Sequence, residues 1–269
     1  MEARITRREF SARLALFLAA THGAGLVAAA EPEHVDEELP EPTKDDAALL
    51  RRLRLHTTTP LKTMREFYEG RLGFPVPAEG EDTITFRAGT TEITFVEAER
   101  GETGDPFYHV AFNIPENKHA ASKAWLETSG VGVHKVAHFR HWNAHAVFFL
   151  DPAGNILEFI ARHDLKNAAS GGFDPAKDAL CASEIAFIVK DDEEFSGRLR
   201  KALGLPRFRG GPSLGTDHGI LLVFERGRKW YRPAETYPAV VTIAAGDEEA
   251  VHRTPGFLYE IRAVPRTPS

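Results

Sequence analysis

The chain has 269 residues, with 33 Lys and Arg against 39 Asp and Glu, for a net charge of −6. That acidity, without a long Lys/Arg cluster, argues against nucleic acid or an anionic membrane as partner. Cys181 is the single cysteine, so no intrachain disulfide forms, and the length suffices for more than one core.

Residues 1–30 carry a basic head, an apolar stretch from Leu14 to Ala30, and a small-residue end, Ala28-Ala29-Ala30. This is the pattern of a secretory leader cut after Ala30. Thr6-Arg7-Arg8-Glu9-Phe10 gives it the paired arginines of a twin-arginine signal. The apolar stretch is broken by His22, Gly23 and Gly25, too short and polar for a membrane span. The expectation is a periplasmic or secreted protein with no membrane attachment after cleavage. Loss of Arg4, Arg7, Arg8, Arg13, Glu2 and Glu9 would take the net charge to −8. Residues 31–49, rich in Glu, Asp and Pro, read as a disordered linker.

From Leu49 the order is strand, helix, then several strands. Leu53–Thr58 reads as a strand, and Leu61–Leu72 as a helix with Met64, Phe67, Tyr68 and Leu72 at helical spacing. Gly73 ends it and Pro75 prevents its resumption. Thr83–Arg87 and Thr91–Glu97 form a hairpin around Gly89. A second unit has strand His109–Ile114, helix Pro115–Thr128, and strands Val131–Ala137, Ala144–Leu150 and Asn155–Ala161. Asp151-Pro152-Ala153-Gly154 turns between the last two. After a polar linker, 166–180, strand Glu184–Val189 and helix Glu193–Leu203 begin a third copy, followed by strands Ile220–Phe224, Val240–Ile243 and Phe257–Arg262. Gly204-Leu205-Pro206 ends its helix as Gly73-Phe74-Pro75 ended the first, which suggests a duplicated βαβββ module.

Four residues stand out: His56, Glu92, His109 and Glu158. Each is a metal-ligand type set in a short apolar run. Side chains alternate along a strand, so Glu158 shares a face with Ile156 and Ile160. A carboxylate there must be solvated, paired or bound to a cation, because burying it bare is costly. Two imidazoles and two carboxylates facing inward would satisfy a divalent ion.

These segments resemble the vicinal oxygen chelate superfamily, which includes glyoxalase I, bleomycin-resistance proteins, fosfomycin-resistance enzymes and extradiol dioxygenases. The resemblance rests on Leu55-His56-Thr57, on Phe67-Tyr68 and Leu72-Gly73-Phe74, on Tyr108-His109-Val110-Ala111-Phe112, and on Phe149 through Phe159 with its Asp-Pro-x-Gly-Asn-x-x-Glu pattern. It covers residues 50–163 well and 181–262 loosely, within expected domains at 50–165 and 181–269. It implies an α+β fold in which paired βαβββ modules form a half-open eight-stranded barrel, here with a third, degenerate module. It also implies one divalent metal ion (Zn, Ni, Co, Mn or Fe(II)) held by His56, Glu92, His109 and Glu158, with Glu158 and Glu92 as the catalytic carboxylates. A homodimer is compatible with it.

That full set looks like the glyoxalase I pattern, and implies lyase or isomerase chemistry on a small oxygen-chelating substrate. His56, His109 and Glu158 without Glu92 would look like the two-His, one-carboxylate set of an extradiol dioxygenase using Fe(II). Those enzymes usually carry a Tyr ten residues before the ligand Glu, where this chain has Phe148. A metal-free pocket of the bleomycin-resistance kind is the third alternative. Tyr108, His141, Trp142 and Phe148 are the candidate pocket residues, with Trp230-Tyr231 a further candidate wall beside Arg226 and Arg228. His134, His138, His141 and His145 would share a helical face, but the β-rich context assigns them to loop and strand. Glu184 stands where His56 stands in module one, so the third module reads as structural.

Overall fold

The computed structural model describes residues 48–99, 105–227, 235, 237–246, 248–254, 256 and 258–266. The expected leader, nearly all of the acidic linker, and Arg228, Trp230 and Tyr231 lie outside these. The strands are β1 (Leu49–Thr57), β2 (Ala78–Glu79), β3 (Thr83–Ala88), β4 (Thr91–Glu97), β5 (His109–Ile114), β6 (Lys135–Phe139) and β7 (Ala144–Leu150). Then come β8 (Ile156–Arg162), β9 (Cys181–Val189), β10 (Leu214–Thr216), β11 (Gly219–Glu225), β12 (Ala239–Ala244), β13 (Ala250–Arg253) and β14 (Tyr259–Val264). The main helices are α1 (Leu61–Tyr68), α2 (His119–Thr128) and α3 (Asp192–Leu203).

Two seven-stranded sheets result, ordered β13-β14-β12-β1-β4-β3-β2 and β10-β11-β9-β5-β8-β7-β6. Each is built around an antiparallel centre, β1 with β12 and β5 with β9, and each central strand pairs in parallel with the last strand of its own module. The architecture is α+β with paired βαβββ modules. The partners differ from the simplest pairing: module two joins β9–β11, while module one joins β12–β14. Residues 181–264 therefore supply three of the seven strands of each sheet rather than one appended unit.

Hydrophobic patterning separates the sheets. β1 reads Leu-Leu-Arg-Arg-Leu-Arg-Leu-His-Thr, with Leu53, Leu55 and Thr57 buried and Arg52 and Arg54 exposed. Such alternation suits a sheet with one wet face. In contrast β5, β8 and β9 are buried at every residue, as expected of strands covered on both sides. The inward faces of both sheets share one core with the helices, including Leu53, Phe95, Phe112, Phe159, Ile185 and Val241. Each such side chain contributes roughly 1.5–3 kcal/mol.

Polar pins join the sheets. Thr91 Oγ1 donates to Leu50 O (2.7 Å) and accepts from Ala182 N (3.0 Å). Tyr259 Oη accepts from Ile188 N (2.9 Å) and donates to Ile188 O (3.1 Å). Gly89 permits close approach: it has φ +53°, and a Cβ there would lie 1.9 Å from Leu180 O.

Local boundaries shift for identifiable reasons. α2 starts at His119 rather than Pro115, because Glu116 N is held by Asn167 Oδ1 and Lys118 N closes a turn on Pro115 O. α1 stops at Tyr68, and residues 69–74 unwind into turns capped by Gly73 at φ +71°.

Candidate metal centre

β8, β5 and β9 lie side by side, and their register sets Glu158, Ala111 and Glu184 in one row across the sheet. All three face the concave side, opposite the shared core. The Ala111 methyl between the two glutamates leaves their carboxylates room to converge. One step along β5, His109 shares that face. His109 Nε2 lies 3.5 Å from Glu158 Oε2 and 3.6 Å from Glu184 Oε2, and all three side chains are buried. A ligand atom from each lies within 4.8 Å of the others.

The tautomer is set from behind. His109 Nδ1–H donates to Ile156 O at 3.1 Å, which leaves Nε2 as the ring nitrogen that faces both carboxylates. Glu158 Oε1 is buried without a hydrogen-bond partner. Burial, and then the Glu184 charge, push the Glu158 carboxyl well above the ordinary range. For Glu184 burial acts in the same direction, but Arg162 and His109 outweigh it and the net shift is downward. Arg162 is itself buried: it contacts Glu184, donates from Nε to Asn113 Oδ1 (3.0 Å), and reaches Asp217 Oδ1 at 3.3 Å. The rings of Trp142 and Phe208 lie over its guanidinium, each 5.9 Å away.

The Asp-Pro-x-Gly-Asn turn places β8. Asp151 Oδ1 accepts from Ala153 N and Asn155 N (both 2.9 Å), and Asp151 Oδ2 accepts from Tyr68 Oη at 2.8 Å. Asn155 Oδ1 accepts from Tyr108 N at 2.8 Å, locking the start of β5 to the start of β8. This network sets His109 and Glu158 in register.

His56 and Glu92 do not join them. Both belong to the other sheet, and they are not level there: His56 pairs with Val96, whereas Glu92 lies opposite Arg52. Glu92 is partly exposed and bridged to Arg87 (2.9 Å) and Arg52 (3.4 Å). The Arg87 hydrogen bond first, with Arg52 assisting, holds its carboxyl below the ordinary range. Of the expected four residues the structure brings together His109 and Glu158, joined by Glu184, and leaves His56 and Glu92 in the other sheet, where Glu92 is an ion-pair residue. The error lay in pairing module one with module two, when module two's partner is β9–β11.

Tyr108 is also reassigned. Its hydroxyl accepts from His56 N (3.1 Å) and donates to Pro238 O (2.7 Å), so it pins the sheets together. Its ring still bounds a narrow recess that reaches His109, alongside Ala186, Tyr237 and Tyr259. Phe148 lies opposite Glu158 and stacks on the His109 ring, 6.2 Å between centroids. Trp142 packs on Phe139 and Phe208 over Arg162. His141 is exposed, in a shallow depression with His138 and Arg140.

Glu184 and Arg162 are the residues that sequence reasoning missed. Both carried the signal that singled out Glu158: an ionisable side chain in a strand buried on both faces, Cys181–Val189 for one and Ile156–Arg162 for the other. The fourth corner is apolar. Leu222 lies opposite Ala186 on β9 as Glu158 lies opposite Ala111 on β5, each two residues beyond its strand's inward ligand. All three acidic and imidazole groups come from one chain.

Residues 56–159 match the model of the Glyoxalase/Bleomycin resistance protein/Dioxygenase superfamily. No curated protein matches the chain. A solved structure from Bacillus subtilis subsp. subtilis str. 168, provisionally named a dioxygenase, aligns over 81% of this chain and 86% of its own. Its TM-score is 0.56 at 15% identity. A mutant of glyoxalase I from Zea mays aligns over 82% of this chain and 95% of its own, with a TM-score of 0.53 at 13% identity. At such identities the likeness is one of fold, and its coverage takes in both sheets. Residues 56–159 therefore belong to the glyoxalase/bleomycin-resistance protein/dioxygenase superfamily, and the chain around them carries its fold of paired βαβββ modules.

Proposed function

We propose that His109, Glu158 and Glu184 hold one divalent metal ion, and that the protein is a metal-dependent lyase or isomerase acting on a small oxygen-chelating substrate. The observation that carries this is the convergence of His109 Nε2 and two buried carboxylates, with Glu158 Oε1 left unpartnered. Imidazole and carboxylate ligands suit Zn, Ni, Co, Mn or Fe(II). Such an ion supplies Lewis acidity toward two adjacent substrate oxygens.

The chain's own groups divide the remaining work. In the metal-free site burial and Glu184 make Glu158 hold a proton more tightly than an ordinary glutamate, and its unpartnered Oε1 makes it the carboxylate placed to serve as general acid and base. Arg162 keeps Glu184 ionised. Trp142, Phe148 and Phe208 exclude water from the concave face. A second oxygen-chelate activity, extradiol cleavage, is less well supported. Glu184 supplies a carboxylate where a second imidazole would be needed, and Phe148 stands where a Tyr is expected.

A metal-free binding protein has one observation in its favour, since Arg162 already offsets the Glu184 charge. Elemental analysis of untagged protein purified without chelator tests the proposal. One metal equivalent held at this centre, and lost on Glu184→Gln, is expected; metal-free protein that binds an aromatic ligand would sink it. Oxygen uptake with a catechol separates the dioxygenase. The Arg7-Arg8 leader supports the further proposal of twin-arginine export to the periplasm or medium. A reporter fused to residues 1–30 would test it.

A further inference from the structure

Four imidazoles lie together on the opposite face of the second sheet, the side that packs against α2. Ala137, Phe139, Ala144 and Ala146 turn to the concave face, so His138 of β6 and His145 of β7 turn away from it. The two are cross-strand partners. Their rings stack with 4.1 Å between centroids and 10° between planes. His163 follows the end of β8, placed by its N–H donating to Asn143 O at 2.9 Å. His145 Nδ1 and His163 Nε2 are 2.7 Å apart, one ring donating to the other. His119 opens α2, tilts against His145 at 5.3 Å, and donates from Nε2 to Ala146 O at 3.3 Å. That carbonyl bond leaves Nδ1 as the lone-pair nitrogen of His119, an arrangement common behind metal-ligating histidines.

We propose that His119, His138, His145 and His163 form a second binding site, for a late divalent transition-metal ion such as Zn2+. All four rings are at least partly accessible. Imidazole is the ligand type that Zn, Cu and Ni favour. Burial first, then the neighbouring imidazoles, hold His145 below the ordinary imidazole value. Burial chiefly does the same for His119. Neutral rings carry the lone pairs that ligation needs.

Ligand nitrogens about 2.0–2.1 Å from a tetrahedral ion stand roughly 3.3 Å apart. The His145–His163 pair therefore opens slightly on binding, and the exposed His138 ring rotates to bring in a third nitrogen. The bound ion would clip β6, β7, β8 and α2 together on the convex side, independently of the concave centre.

The test is Zn2+ titration of untagged, chelator-stripped protein, followed by calorimetry. Two equivalents are expected. The His145→Ala/His163→Ala double variant should lose one of them, and Glu158→Gln the other, so the two sites fail separately. Cu2+ bound to Glu158→Gln should give an electron paramagnetic resonance spectrum of nitrogen-only protein ligation. His138→Ala, at an exposed position that folding does not need, should weaken the histidine site by about tenfold or more. Undiminished Zn2+ uptake by the double variant would overturn the proposal, as would loss of all uptake in Glu158→Gln.

Discussion

The two sheets have the same strand order about their centres, yet their outer faces have opposite chemistry. On the first, Arg52, Arg54, His56, Glu92 and Thr94 alternate with buried residues, and charges pair in the open: Arg87 with Glu92, and Arg253 and Arg262 with Glu260. On the second, the equivalent face carries Ala111, Ala144, Ala146, Ile160 and Ala186 under a roof of Trp142 and Phe208, and its few charges are buried. A carboxylate in the first is a solvated ion-pair member worth little. In the second it is a group that must find a cation or a proton. Topology alone therefore does not make a site; desolvation does.

Mutation can break this contrast, and the largest effect belongs to Arg162. Arg162→Leu should cost about 3–5 kcal/mol in urea unfolding, because it strands Glu184 without its counter-charge. Arg52→Leu, on the open sheet, should cost less than about 1 kcal/mol. Equal costs would show that burial is not what separates the sheets.

Next comes Glu158→Gln. It should weaken metal binding at the His109–Glu158–Glu184 centre by at least about 100-fold and leave the equivalent at the histidine cluster in place, since outer-sphere partners alone are commonly worth about 10–100-fold. Glu92→Gln should leave metal content unchanged. Elemental analysis after equilibrium dialysis reads both, and loss of metal on Glu92→Gln would reinstate the four-ligand set.

The pH response should differ in sign. In metal-free protein the raised Glu158 keeps its proton after the unfolded chain has released its own. Stability therefore falls as pH rises from about 4.5 through the raised value. Glu158→Gln should flatten that slope in unfolding curves taken between about pH 5 and 8. Glu92, held low by Arg87, contributes stability that is lost only as pH falls below its ordinary value of 4.5. The screened surface position makes that contribution small.

The smallest expected effect is at His56. His56→Gln should change neither metal content nor stability by more than about 0.5 kcal/mol. The pin at this position uses its backbone N–H to Tyr108 Oη, which the substitution keeps. A larger loss would show that its half-buried ring has a role in the junction of the sheets.

Much of this was legible in the residues. Alternation in Leu53–Thr57 and Thr83–Arg87, against unbroken burial in His109–Ile114 and Ile156–Arg162, separates a half-wet sheet from a doubly covered one by period alone. His109 and Glu158, ionisable side chains in doubly covered strands, marked the centre, because burial makes a polar group conspicuous. Glu184 bore the same mark, but its meaning depends on β9 lying beside β5, a pairing that no local pattern states.

Local pattern thus determined the strands, the turn at Asp151–Gly154, and two of the three converging groups. Tertiary structure alone decided which modules share a sheet. That choice rests on contacts between residues distant in sequence, such as Thr91 with Ala182 and Tyr108 with Pro238, which no local period encodes. It brought Glu184, rather than His56 and Glu92, beside His109 and Glu158, set Arg162 next to it, and gathered four histidines from β6, β7, α2 and the turn after β8 on the far face.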